Sequence, residues 1–206
     1  MSIVTYNNRS IANISAIPGA NKSLTHIKTL TTSGDSTLSF VDGSSDVVLD
    51  STYPIYIFKF IDLNPATDDK KFQFNLSTDS GSNYNVSKTT TYFSAYHAEN
   101  DSETSLGYRT GNDLANGTGV QVFTESAGNG SDESAVGELT LFNPSSTTFV
   151  KHFMSRTSTY YTSDYAMDVF TAGYANTTSA IDAIQFSVES GGNFDGTIKL
   201  YGLKDS

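Results

Sequence analysis

The chain has 206 residues, with 12 basic against 22 acidic side chains and a formal net charge of -10. This length suits one all-β domain, or one domain with an extended arm, and the acidic balance argues against a nucleic-acid backbone or an anionic bilayer as the main partner. Cysteine is absent, which removes disulfides and thiolate metal sites.

The chain is rich in Ser (29) and Thr (26), with 12 Tyr, 13 Phe and no Trp. Such a composition fits pleated strands joined by polar turns, because β-branched and aromatic residues pack on a pleat while Ser, Asn, Asp and Gly supply turn chemistry. The first twenty residues lack a basic start followed by an apolar run, so no export signal is expected. The longest apolar stretch, YPIYIFKFI at 53–61, is interrupted by Lys59 and falls well short of the ~20 residues that span a bilayer.

In chain order, residues 1–45 scatter Ile11, Ile14 and Ile17 among polar residues around Pro18-Gly19. They read as a first strand or as an N-terminal arm that gains order by lying on a neighbour, ahead of a β-sandwich domain at 46–206. Strands are predicted at 37–41, 53–62, 71–76, 89–98, 119–124, 137–143, 147–154, 158–163, 167–174, 183–188 and 196–203, from period-two apolar patterns between turn clusters. KFQFNL shows the pattern plainly: Phe72, Phe74 and Leu76 point one way and Lys71, Gln73 and Asn75 the other. The fold class these imply is an antiparallel two-sheet β-sandwich, with a jelly roll as the leading variant.

Two segments do not alternate cleanly. In YPIYIFKFI one row is Tyr56, Phe58 and Phe60 and the other Ile55, Ile57 and Ile61 around Lys59; in TTFVKHFM, Phe149 and Phe153 share a row against Val150, His152 and Met154. A sandwich strand has one core face, so the second must be covered by a loop, by the arm or by another subunit. Tyr56, Phe58, Phe60, Phe149 and Phe153 are therefore candidate subunit-interface residues, and a homotrimer is the expected self-assembly.

No catalytic signature surrounds His26, His97 or His152. His97 and Glu99 would share a strand face as a weak metal or proton-sharing pair. The acidic residues Asp68, Asp69, Asp101, Glu103, Asp132 and Glu133 fall in loops, where solvated carboxylates are ordinary, although a glycosidase would need two of them. No catalytic, cofactor or metal residues are assigned, and no enzyme activity is expected. Sugar binding is the strongest alternative to a structural role, because Tyr84, Tyr92, Tyr96, Tyr108, Tyr160, Tyr161, Tyr165 and Tyr174 lie in or near loops and strands and could stack on pyranose rings. In the closing stretch AIDAIQFSVESGGNFDGTIKLYGL (180–203), Ile184, Phe186 and Val188 are expected inward, answered by Ile198 and Leu200 across a Gly-rich hairpin. Glu189 and Asp195 alone make a poor cation site.

Residues 53–203 carry an ordered set of motifs: a Phe-Lys-Phe-Ile strand leading into Pro-Ala-Thr-Asp, a Ser-Gly-Ser-Asn-Tyr-Asn-Val turn, Asn-Pro-Ser-Ser-Thr-Thr, and a closing Lys-Leu-Tyr-Gly. As a set they resemble virion structural proteins of marine tailed bacteriophages, including those that infect cyanobacteria. The resemblance implies a particle component without catalytic residues, assembled in the bacterial host cytoplasm and located in the virion. It implies contact with the major capsid protein or other virion proteins, as a capsid decoration or cement protein. The alternative is a tail-fibre or tail-associated protein that binds host-surface carbohydrate.

Overall fold

A computed structural model describes residues 23–204. Twelve strands make up the structure: β1 (Leu24–Asp35), β2 (Thr37–Val41), β3 (Ile55–Pro65), β4 (Phe72–Ser77), β5 (Lys88–Ala98), β6 (Thr104–Tyr108), β7 (Gln121–Val122), β8 (Ala135–Phe142), β9 (Lys151–Tyr161), β10 (Tyr165–Ala175), β11 (Ala183–Val188) and β12 (Phe194–Leu203). They form an eight-stranded sheet in the order β1-β12-β3-β8-β9-β10-β5-β6 and a four-stranded sheet in the order β2-β11-β4-β7, antiparallel throughout.

When β5, β6, β9 and β10 are set aside, every remaining step along the chain crosses from one sheet to the other except β4 to β7, which pair within the small sheet. The two sheets then read 1-12-3-8 and 2-11-4-7, which is the doubly wound Greek-key order of a jelly roll. The four set-aside strands are two insertions, β5–β6 between β4 and β7 and β9–β10 between β8 and β11, and they extend the large sheet to twice the width of the small one.

The jelly-roll interior is aromatic. Phe186 of β11 sits at its centre, with ring centroids 5.3 Å from Phe58, 5.3 Å from Phe60 and 6.2 Å from Phe40. Phe60 stacks on Phe123 at 4.6 Å, and Phe74 meets Phe153 edge-on at 5.2 Å. These contacts tie the two sheets through phenylalanine side chains projecting from alternate positions of each strand.

The candidate subunit interface is corrected by this packing. Tyr56, Phe58, Phe60 and Phe153 are 0, 0, 3 and 1% exposed, inside the chain's own core, whereas Phe149 is 71% exposed in the β8–β9 connection. β3 does have two apolar rows, but Lys59 belongs to the Ile55–Ile57–Ile61 row and pairs with Glu138 on the outer surface. A lysine beside that row sends the row toward solvent and the Tyr/Phe row inward, since an unpaired buried ammonium is far costlier than a half-exposed isoleucine. Phe149 and Phe153 do not share a strand row, because β9 begins only at Lys151.

Two further expectations change. Residues 24–41 form β1 and β2, one strand in each sheet, which agrees with the strand alternative for this segment and not with an arm there; the arm reading for residues 1–22 lies outside the described residues. The closing stretch is not a hairpin pair: β11 pairs with β2 and β4, and β12 with β1 and β3. Ile184, Phe186, Val188, Ile198 and Leu200 do point inward, but from opposite sheets across the core. Their link is a 3-10 turn at Glu189–Gly191 with Ser190 and Gly191 at positive φ.

Phe58→Ala is expected to cost about 3–5 kcal/mol of unfolding free energy, and Phe149→Ala no more than about 0.5 kcal/mol. Urea titration of the two variants measures the contrast; similar losses would contradict the assignment of faces.

Candidate functional site

The small sheet covers only the jelly-roll half of the large sheet. Over β9, β10 and β5 the inner row changes character: Ser155, Thr157 and Thr159 on β9, Val169 and Thr171 on β10, and Lys88, Thr90, Tyr92 and Ser94 on β5 are all buried. What covers them is the long connection from β6 through β7 to β8, residues 109–134, and it is held by polar contacts. Thr90 Oγ1 donates to Gln121 Oε1 at 2.6 Å and accepts the Leu114 N–H at 2.8 Å; Thr157 Oγ1 donates to the Phe123 carbonyl at 2.5 Å; Gln121 Nε2 donates to the Asn112 carbonyl at 2.9 Å. A buried polar side chain is tolerated where it is hydrogen-bonded, so a Ser/Thr inner row calls for a polar roof.

At the open end of this roofed half lies a hollow of about 520 Å³, lined by Lys71, Tyr96, Glu103, Arg109, Asn112, Glu125, Tyr161, Ser163, Tyr165 and Met167. Tyr96 comes from the inner row of β5, Tyr161 and Tyr165 from the two sides of the β9–β10 hairpin, where they are direct cross-strand partners. Tyr165 meets Tyr96 edge-on at 5.4 Å and Tyr161 edge-on at 5.7 Å. The Arg109 guanidinium lies 5.7 Å from the Tyr96 ring centre, within cation–π range.

The polar groups are held in place by one another. Glu103 accepts from the Tyr96 hydroxyl at 2.5 Å and from the Tyr165 hydroxyl at 3.4 Å, and its bond raises the Tyr96 hydroxyl above the usual tyrosine range. Arg109 Nε donates to Ser94 Oγ at 2.9 Å, and Ser94 Oγ donates to Glu125 Oε1 at 3.3 Å. Lys71 Nζ donates to Asn112 Oδ1 at 2.9 Å and stands 3.9 Å from Glu125 Oε2. Burial, with Asp69 and Glu125 nearby, raises the Tyr161 hydroxyl. Behind the hollow the buried Tyr92 hydroxyl lies near Glu125 without a hydrogen bond of good geometry. Burial first, and that carboxylate second, push it upward.

A smaller hollow of about 210 Å³ adjoins the first and shares Ser163 and Tyr165 with it, adding Ala98, Glu99, Asn100 and Asp164. Beside it the Tyr160 hydroxyl donates to Asp164 Oδ1 at 3.0 Å and to Glu99 Oε2 at 3.4 Å. The bond to Asp164 pushes Tyr160 up to about 12.

The other sequence candidates are placed as follows. His97 Nε2 bonds Asp101 Oδ1 at 2.9 Å on the outer face, so its carboxylate neighbour is Asp101 and not Glu99. Asp68 accepts from Thr162 Oγ1 at 2.8 and 2.9 Å, and Glu133 accepts the Gly130 N–H at 2.6 Å, so both hold loops. Among the described residues no group of three or more His, Asp or Glu could hold a metal ion. Glu103, Tyr96, Tyr161 and Tyr165 were sequence candidates, whereas Lys71, Arg109, Asn112 and Glu125 were not. Arg109, Asn112 and Glu125 lie along the 109–134 connection and Lys71 just before β4, and only the fold brings the four to one place.

The outer face of the large sheet is a second surface of interest, since nothing in the described residues covers it. One cross-strand row runs Tyr108, Phe93, Phe170, Arg156, Glu138, Lys59 and Lys199. In it Phe93 and Phe170 stack at 4.8 Å, and Arg156 lies 4.8 Å over Phe170 while bonding Asp168 at 2.9 Å. The neighbouring row runs Ala172, Met154, Thr140, Ile57 and Tyr201, with Met154 58% exposed. A shallow apolar depression of about 620 Å³ opens beside it, between Thr91, Phe142, His152, Met154 and Tyr174.

No family model matches this chain, and comparisons with curated proteins and with solved structures return no match.

Lys88 gives the roofed half a pH signature. Its ammonium is fully buried, donating to Asn75 Oδ1 and to the Val86 carbonyl at 2.7 Å, and burial lowers its pKa from 10.5 to about 8. The unfolded chain keeps the proton to higher pH than the folded chain does, so between these two values stability rises with pH. Relative to Lys88→Met, the unfolding free energy of the unaltered protein is expected to gain up to about 3 kcal/mol from pH 8 to pH 10.5. Urea titrations across that window measure it, and a pH-independent difference would contradict it.

Proposed function

We propose that the protein is a non-enzymatic structural component of a bacteriophage virion, a capsid decoration unit that stabilises the particle exterior through self-association and contact with the major capsid protein. The observation that carries this reading is the outer face of the eight-stranded sheet. It is broad, uncovered by the described residues, and carries Phe93, Leu106, Val136 and Met154 exposed in reach of polar and charged neighbours. An exposed apolar surface rimmed by polar groups is the usual mark of a protein–protein contact. The ordered motifs of residues 53–203 lend the phage context, and the jelly roll is a fold used in capsid proteins as well as lectins. Fold alone does not fix a role. The tail-associated alternative, binding host-surface carbohydrate, is favoured by the tyrosine-lined hollow.

The self-association surface now assigned is the outward row, Ile57, Met154, Ala172 and Tyr201, in place of the buried Tyr56, Phe58, Phe60 and Phe153. Sedimentation of the purified chain is expected to show a trimer that the double variant Ile57→Glu, Met154→Glu converts to monomer without loss of cooperative unfolding. Mass spectrometry of purified particles is expected to find it in numbers comparable to the major capsid protein. A few copies per particle would point to the tail, and a monomeric chain absent from particles would overturn the proposal.

A further inference from the structure

The hollow of about 520 Å³ combines three features of a ligand site. Its walls include three tyrosine rings fixed edge-to-face, its floor and rim carry both hydrogen-bond donors and acceptors, and its charges balance, Lys71 and Arg109 against Glu103 and Glu125. Its volume falls in the range of small-molecule sites, about 300–1,000 Å³.

We infer that this hollow binds a neutral oligosaccharide, with the rings of Tyr96, Tyr161 and Tyr165 against sugar C–H faces and Arg109, Asn112 and Glu125 against sugar hydroxyls. A pyranose presents an apolar face edged by hydroxyls, each both donor and acceptor, so its site needs flat aromatic surface beside groups of both kinds. The carboxylate of Glu125 accepts, the guanidinium of Arg109 donates, and Asn112 does both. Arg109 hydrogen-bonds through Nε alone among the described residues while its guanidinium lies by the Tyr96 ring, which leaves its two amino groups to donate to a ligand.

Charge selects against other ligands. The adjoining hollow adds Glu99 and Asp164 and no cation, so the combined groove is net acidic on a chain of formal charge -10. A phosphorylated or uronic-acid ligand would meet repulsion there. The two hollows share Ser163 and Tyr165, which gives the groove length for more than one sugar ring, with Tyr165 between them. Preorganisation lowers the binding cost: Glu103 ties two of the tyrosine hydroxyls, Ser94 anchors Arg109 and Lys71 anchors Asn112, so few side chains need ordering on association.

The site faces the inner side of the extended sheet, opposite the row carrying Phe93 and Phe170. Self-association through the outer face would leave it open. If the chain is a repeated virion component, and this clause rests on that reading, many weak sites displayed together would bind a glycan-coated surface with high avidity. The hollow itself does not depend on it.

The test uses the full chain and a panel of neutral gluco-, galacto- and manno-oligosaccharides beside uronic-acid oligosaccharides, read by saturation-transfer NMR. Transfer to ring C–H protons of a neutral probe is expected. Tyr165→Ala is expected to weaken that binding about tenfold, Tyr165→Phe, which keeps the ring, to restore most of it, and Phe149→Ala, in the exposed β8–β9 connection, to leave it unchanged. In the unaltered protein, the same probe is expected to protect Tyr96, Tyr161 and Tyr165 from oxidative footprinting, a measurement that does not depend on any variant folding. Failure of every neutral probe to bind, binding of uronic-acid probes alone, or undiminished binding by a folded Tyr165→Ala would overturn the inference. Its failure with the chain still abundant in particles would leave the virion reading standing, and the reverse result would separate them the other way.

Discussion

A four-stranded sheet cannot cover an eight-stranded one, and most of this molecule follows from that mismatch. On the jelly-roll side, β2, β11 and β4, with Phe123 just after β7, supply phenylalanines that interlock with those of β3, and Phe186 touches five other rings. Apolar burial of this kind is the main favourable term in folding. Past β8 the small sheet ends, and the inner face of β9, β10 and β5 has to be closed by something else.

What closes it is a connection with little regular structure, whose own backbone polar groups need partners. The inner row beneath supplies some of them as the Thr90 and Thr157 hydroxyls, Gln121 of the connection itself bonds the Asn112 and Val122 carbonyls, and even the buried Lys88 finds an amide and a carbonyl. The consequence is a half whose interior is polar. Where the roof stops, tyrosines and charged groups that would otherwise be buried line an open hollow. Apolar packing thus holds the fold on one side, and incomplete covering leaves an open hollow lined by tyrosines and charged groups on the other.

These two halves differ in how legible they were. Strands packed against the small sheet announced themselves by alternation, as KFQFNL and AIQFSV show, because an apolar partner selects apolar residues at every second position. β9 reads instead as two strands split near SRTS, since its inward Ser155, Thr157 and Thr159 are no more apolar than the outward Arg156 and Ser158. β1 and the edge strand β6 are nearly as polar on both faces and gave no pattern. The two-row character of β3 was visible, and Lys59 held the information on which row turns outward, but the larger aromatic row was taken as the exposed one. Pairing of β11 with β12 was expected from proximity in the chain, whereas a jelly roll sends neighbouring strands to opposite sheets. For the hollow, the tyrosines and Glu103 stood out, while Arg109, Asn112, Glu125 and Lys71 belong to no motif and acquire meaning only from the hydrogen bonds that assemble them.

The division into an apolar-packed half and a polar-roofed half is open to direct measurement by native-state hydrogen exchange, which resolves the opening free energy of each segment. Amides of β3, β4, β11 and β12 are expected to exchange only through global unfolding. Amides of β6 and of residues 109–120 are expected to exchange through a smaller opening that leaves the jelly roll intact. Equal opening free energies across both halves would contradict the account.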